Sequence, residues 1–212
     1  MGIIQKNPLV GAGSQFYTVG FNQTALVVGL GNIGSKYDKT RHNVGFACAD
    51  AFVKAEEFDA WIEKKDLKCL YSSKMLGSTR VIVIKPTTLM NLSGEAVQEA
   101  MHYFKVELNR VIVIHDELDI PFGQLRMRTG GSDAGHNGIK SVTQHAGEGY
   151  ARIRVGIGPK TPEGIDSAKF VLQRFSESEL KEMKALTLEV TSIISEFIFG
   201  SELRTETRNF II

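Results

Sequence analysis

The chain has 212 residues, 42% of them hydrophobic, enough to bury one good core and more consistent with one domain than two. Its 25 basic and 24 acidic residues leave a net charge of +1; overall charge therefore predicts no polyanion partner, and any nucleic-acid contact must rest on local clustering. Cys48 and Cys69 are the only cysteines, with no CxxC between them, which argues against a disulfide framework or a zinc site and points to a reducing compartment.

Residues 1–22 carry one basic residue, Pro8 and four glycines, and no apolar run of signal-peptide length. They are expected to form a loosely held extension ahead of a domain over 23–212. Nowhere do eighteen apolar residues run together, so the expectation is a soluble, cytoplasmic protein without membrane contact.

Ala25 to Val28 is short, apolar and rich in β-branched residues, as expected of a strand covered on both faces in an α/β sheet. Gly29, Gly31 and Gly34 then spell a dinucleotide-binding spacing. That motif needs a helix immediately afterwards, but Ser35 to Asn43, SKYDKTRHN, offers no apolar residue at helical spacing. The helical pattern begins only at Val44 and runs to about Phe58, with Asp50 inside it instead of at the end of a second strand. The spacing alone therefore does not support a nicotinamide or flavin cofactor.

Two strand-like runs, Leu67–Met75 and Arg80–Ile84, flank Gly77 and Ser78 as in a hairpin, and Pro86 closes the second. Asn91 to Glu95 offers capping residues and an acid for a helix facing inward with Val97, Met101 and Phe104. Arg110 to His115, RVIVIH, predicts a central strand that delivers Asp116 at its end. Gln124–Arg128 alternates like a strand with one wetter face. A glycine-rich turn through His136 and Asn137 leads into a short helix with Ile139 and Val142, and Arg152–Gly158 supplies a last strand. Ser176 and Glu179 spell a capping box for a long terminal helix that Gly200 stops.

Four strand ends thus carry polar groups: Asn32 and His42, Asn91, Asp116, and His136 with Asn137. A histidine oriented by a carboxylate is a general base, and His42 with Asp116 fits that role. No GxSxG elbow or catalytic-cysteine signature accompanies the pair, so water is the expected nucleophile. Neutral amides recognise peptide groups and ribose hydroxyls, and they can steady an oxyanion. The five histidines show no HxH or HxxxH spacing, so no metal is expected. Between Phe122 and Lys160, six basic residues face two acids, a local excess suited to phosphate.

The runs GLGNIGSKYDKTRHNVGF, KPTTLMNLSG, HDELDIPFG, GGSDAGHNGIKS and RIRVGIG resemble, in order and spacing, the motifs of bacterial peptidyl-tRNA hydrolase, from about Thr24 to the C-terminus. The resemblance implies a single catalytic domain over 23–212, with a twisted mixed, mostly parallel sheet flanked by helices. It further implies a monomeric enzyme that needs no metal or cofactor and cleaves the ester between a peptide and the 3′ ribose of its tRNA. Carried over by motif, His42 resembles the base, Asp116 its orienting acid and Asn32 the residue that distinguishes blocked from free aminoacyl ends. Tyr37, Asn91 and Asn137 match contacts to tRNA or peptide, Met90 matches a wall of the site, and Arg128 and Arg154 match a clamp on tRNA phosphate. Ile33 stands where the family commonly has proline, and Leu89, among the substrate-contact positions, replaces a common aromatic.

Plainer roles compete at several of these positions. The lesser alternatives are a turn residue or helix cap for Asp116, helix caps for Asn91 and Asn137, and ordinary surface charges for Arg128 and Arg154. His136 reads as a supporting residue and not a base, and Glu117 and Asp119 as solvated turn residues. The rival class is an RNA-binding protein that has lost catalysis, as among plant organellar splicing factors similar to this family. Pure binding does not require His42, Asp116, Asn32 and Asn91 together.

Overall fold

The doubly covered strand predicted after Thr24 is β1 (Gln23–Gly29) in the computed structural model, which describes residues 23–200 and 203–211. Ala25 and Val27 belong to one core, Leu26 and Val28 to the other, and all four are fully buried. A strand with water on neither side has no polar face, so its sequence is a continuous apolar run.

After β1 come α1 (Val44–Ala55), β2 (Ile62–Lys64), β3 (Cys69–Leu76) and β4 (Thr79–Pro86). They are followed by α2 (Ser93–Phe104), β5 (Val111–Pro121), β6 (Gln124–Thr129), α3 (Asn137–Ala146) and β7 (Ala151–Gly158). The chain then forms α4 (Ser167–Val171), α5 (Glu177–Phe199) and β8 (Glu206–Asn209). The strands make one mixed sheet in the order β2-β3-β4-β1-β5-β7-β6-β8. Its centre, β4-β1-β5-β7, is parallel; antiparallel strands extend it on both sides. The α/β fold with a mixed sheet is as expected. Helices α1 and α5 supply the residues that cover one face, and α2 and α3 those that cover the other.

Glycine permits the approach that shapes the functional end of the sheet. A Cβ on Gly45 would lie 2.4 Å from the Ile114 carbonyl oxygen, and one on Gly29 would lie 2.4 Å from the Gly45 oxygen. The start of α1 is therefore pressed onto the backbone of β1 and β5, which no residue with a side chain could allow at these positions. The Gly29-Gly31 spacing serves this packing, and no helix follows it: Ser35–Tyr37 and Arg41–Asn43 form only short 3₁₀ turns before α1.

Several expectations change. Asp116 lies within β5 and not at its end, because the strand continues alongside β7 to Pro121, with a register irregularity after Glu117. β7 is not the last strand: β8 pairs with β6. The capping box of α5 is present, with Ser176 and Glu179 bonded reciprocally. Cys48 and Cys69 are both buried free thiols. Among the described residues no helix is long and apolar enough to cross a membrane. The predicted extension over 1–22 lies outside the described residues.

Candidate active site

β1 ends at Gly29, opposite Ile114, while β5 runs on for seven more residues. Asp116 therefore projects past the end of its neighbour into the space occupied by the loop that leaves β1. That loop carries His42, three residues before the tightly packed Gly45. His42 Nδ1 lies 2.9 Å from Asp116 Oδ1, with the carboxylate 2% and the imidazole 12% exposed. Both line a cleft of about 760 Å³ at this end of the sheet.

His136 Nε2 approaches the same carboxylate oxygen, also at 2.9 Å. Its other nitrogen, Nδ1, accepts hydrogen bonds from the backbone N–H groups of Gly138 and Ile139, which makes His136 the N-cap of α3. A ring that accepts at Nδ1 carries its proton at Nε2; His136 is thus fixed as a donor to Asp116. Burial alone would raise the Asp116 pKa, but the neighbouring imidazoles of His136 and His42, by charge and hydrogen bond, hold the carboxyl well below the usual carboxylate range. Asp116 is accordingly an anion. Donating Nδ1–H to it leaves His42 Nε2 as the bare nitrogen.

Asn32 is fixed on three sides. Its backbone N–H donates to Asn43 Oδ1 at 2.9 Å and its carbonyl accepts from Asn43 Nδ2 at 3.0 Å. Its side-chain Oδ1 accepts from the Met90 backbone N–H at 2.8 Å. This last contact determines which way the amide faces, and Nδ2 is left as a donor at the cleft wall. Met90 is 4% exposed. A Cβ on Gly138 would be 2.5 Å from its sulfur, so α3 closes onto Met90 at that point.

The wall is extended by Tyr37, Leu89, Asn91, Asn137 and Glu117, and by Ser167, Ala168 and Val171 of α4 with Leu172 just after it. A match to the family model described as "Peptidyl-tRNA hydrolase" covers residues 26–210. The chain belongs to the peptidyl-tRNA hydrolase family.

Among relatives, a peptidyl-tRNA hydrolase of Shouchella clausii is 46% identical over 159 residues, which is 74% of this chain and 84% of that protein. One from Sulfurovum sp. is 42% identical over 167 residues, covering 79% of this chain and 85% of the relative. The crystal structure of peptidyl-tRNA hydrolase from Acinetobacter baumannii superposes with a TM-score of 0.76 at 29% identity, over 82% of this chain and 88% of that one.

Of the residues that the family resemblance singled out, eight converge on the cleft: Asn32, Tyr37, His42, Leu89, Met90, Asn91, Asp116 and Asn137. Leu89, at the position of the family's common aromatic, is 49% exposed there. Neither asparagine caps a helix. The cap position of α2 is Leu92, without a side-chain bond, and that of α3 is His136. Both amides are exposed.

Arg128 and Arg154 do not line the cleft. They face the same side of the β6–β7 pair, where Arg126 opposes Arg154 and Arg128 opposes Arg152. The Arg128 guanidinium packs on Gly131. Arg154 is not a plain surface charge: its Nε and Nη2 contact Glu117 Oε2 at 3.1 and 3.0 Å. Glu117, 5% exposed, is correspondingly not the solvated turn residue expected. Its pairing could not be seen in sequence, because β5 and β7 are joined through a register that only the sheet defines.

The ligand atoms of His42, Asp116 and His136 lie within 4.8 Å of one another, close enough to suggest a metal trio. The donor chemistry does not fit. His136 Nε2 holds a proton because Nδ1 is occupied as an acceptor, so it has no lone pair for a cation. The wall from α4 was missed from sequence altogether. Its one signal, Asp166 capping Lys169 N–H at 3.0 Å, heads a helix of only five residues.

Proposed function

We propose that this chain hydrolyses the ester between a peptide and the 3′ ribose of its tRNA, with His42 as the general base. The observation that carries the proposal is the bare Nε2 of His42, produced where Nδ1 donates to a buried anionic carboxylate, at the wall of a cleft lined by amides. Family membership supplies the substrate class: relatives 40–46% identical over most of the chain are named peptidyl-tRNA hydrolases.

In this mechanism His42 Nε2 takes a proton from water as the oxygen attacks the ester carbonyl. Asp116 stabilises the imidazolium that forms and holds its orientation. The tetrahedral oxyanion is met by an amide donor, for which the Nδ2 of Asn32 is the fixed candidate and Asn91 and Asn137 are the exposed ones. Collapse expels the ribose 3′ oxygen, which recovers the proton from His42. The peptide leaves as a carboxylate, and the tRNA is free to be recharged. Asn32, pinned by Asn43 and Met90, is the group that reads an N-blocked aminoacyl end through its amide. Tyr37, Leu89 and Met90 wall the acyl and terminal-nucleotide region, while Arg128 and Arg154 hold tRNA phosphate beside it. On this reading the enzyme is cytoplasmic and works as a monomer.

The experiment is ester release from N-acetylaminoacyl-tRNA and from its unblocked counterpart. The blocked substrate is expected to be cleaved and the free one spared. Replacing His42 with Ala should lower turnover by about two to four orders of magnitude, the range contributed by a general base, while binding of deacylated tRNA persists. Normal turnover in that variant would remove His42 from the mechanism. Binding of tRNA with no hydrolysis by the unaltered protein would favour the non-catalytic RNA-binding class.

A further inference from the structure

Arg41 is the residue immediately before His42, and it is one of the few buried cations of the fold, 8% exposed. Its guanidinium meets Glu179 with two bonds, Nη1 to Oε1 at 2.7 Å and Nη2 to Oε2 at 2.8 Å. The rings of Phe170 and Phe175 lie 4.7 and 5.0 Å from the guanidinium carbon. The backbone is fastened in the same direction: Arg41 N–H donates to the Gln173 carbonyl at 2.9 Å, and Thr40 bridges to Arg174. Glu179 is itself fixed, because its Oε2 accepts from the Ser176 N–H at 2.7 Å in the capping box of α5.

These contacts converge on α4, the stretch that follows it and the start of α5. Ser167, Ala168 and Val171 of α4, with Leu172 just after it, wall the cleft. On its other side His42 is followed by Asn43, tied to Asn32 by two hydrogen bonds. The candidate base therefore stands between two anchored neighbours, one tied to the floor of the cleft and one to its wall.

We infer that Arg41 is a positioning residue for the hydrolysis: through Glu179 and the two aromatic rings it holds the His42 turn in register with the α4 wall. A planar guanidinium is suited to this task, since it can meet a carboxylate with two parallel bonds while its faces stack on aromatics. An error of about 1 Å in a catalytic group costs on the order of 100-fold in rate. The inference rests on His42 being the base.

The test uses Arg41→Lys, which keeps the charge but cannot make the paired contact, and Glu179→Gln, which keeps the shape and the bond to Ser176. Single-turnover hydrolysis of N-acetylaminoacyl-tRNA, affinity for deacylated tRNA and Tm are measured for each. Arg208→Met serves as the control for a purely structural loss, because Arg208 joins β8 to α5 through Glu189 and Glu196 and pairs with Glu206 within β8, with no contact to the His42 turn or the α4 wall. The Arg41 and Glu179 variants should each lose about 10- to 100-fold in kcat, with tRNA affinity changed by no more than about twofold. The control should lose Tm and keep kcat. Full kcat in both the Arg41 and Glu179 variants, with His42→Ala inactive, overturns the inference and leaves the base in place. So does a kcat loss no larger than that of the control at equal loss of Tm. Turnover by His42→Ala overturns the base and the positioning role together.

Discussion

His136 donates to the same Asp116 oxygen that His42 uses, each at 2.9 Å, and the two rings stand 5.0 Å apart at 46°. One buried anion thus aligns two imidazoles, only one of which keeps a free nitrogen. Replacing Asp116 with Asn retains the shape and one oxygen able to accept from both rings, but removes the negative charge that fixes the His42 tautomer and stabilises its imidazolium. Turnover is expected to fall by about two to four orders of magnitude, as when the acid of a His–Asp pair is neutralised, with tRNA affinity retained. Single-turnover rates at saturating enzyme, alongside tRNA titration, measure the two separately. A near-normal rate would mean that Asp116 does not orient the base.

The carboxyl of Asp116 also carries a stability signature. Its folded pKa is held below the unfolded value of about 3.9, so its contribution is complete above that value and fades as the pH falls beneath it. His115 acts in a higher window. It is 1% exposed and its Nδ1 donates to the Asp116 carbonyl at 2.8 Å. Burial, helped by the neighbouring His136, holds its pKa well below the ordinary imidazole range. Below about pH 6.5 the unfolded chain gains a proton there that the native state does not take, which costs at most about 2 kcal/mol by pH 5. His115→Phe removes that titration. Its urea midpoint should therefore change less between pH 7 and pH 5 than that of the unaltered protein, whatever its stability at pH 7. An equal change in both would contradict the assignment.

Arg154 and Arg128 are expected to part company on mutation. Arg154→Ala strands the buried Glu117, a loss on the order of 3 kcal/mol when one partner of such a pair is removed. Adding Glu117→Gln should recover part of it. Arg128→Ala breaks no ion pair seen among the described residues and should leave stability nearly unchanged. If Arg128 contacts phosphate, its loss should raise KM, keep kcat, and flatten the salt dependence of tRNA binding by about one phosphate contact. Urea unfolding and binding titrations over a range of salt concentrations check the pair. An unchanged salt slope for Arg128→Ala would remove it from the clamp.

Much of the molecule was legible in the linear chain because local physics wrote it there. The double-sided burial of Ala25–Val28 required an unbroken apolar run, Ser176 and Glu179 fixed the start of α5 through short-range bonds, and the missing apolar spacing in Ser35–Asn43 ruled out a dinucleotide helix. The ordered motifs located His42, Asp116 and the amides of the cleft. What the chain could not declare was pairing between distant segments. Nothing near Glu117 announced Arg154, nothing near Arg41 announced Glu179, and His136 became a donor to Asp116 only because α3 begins where β5 outruns β1. Such contacts depend on strand register and on the close approach at Gly45, which tertiary packing sets and local sequence does not encode.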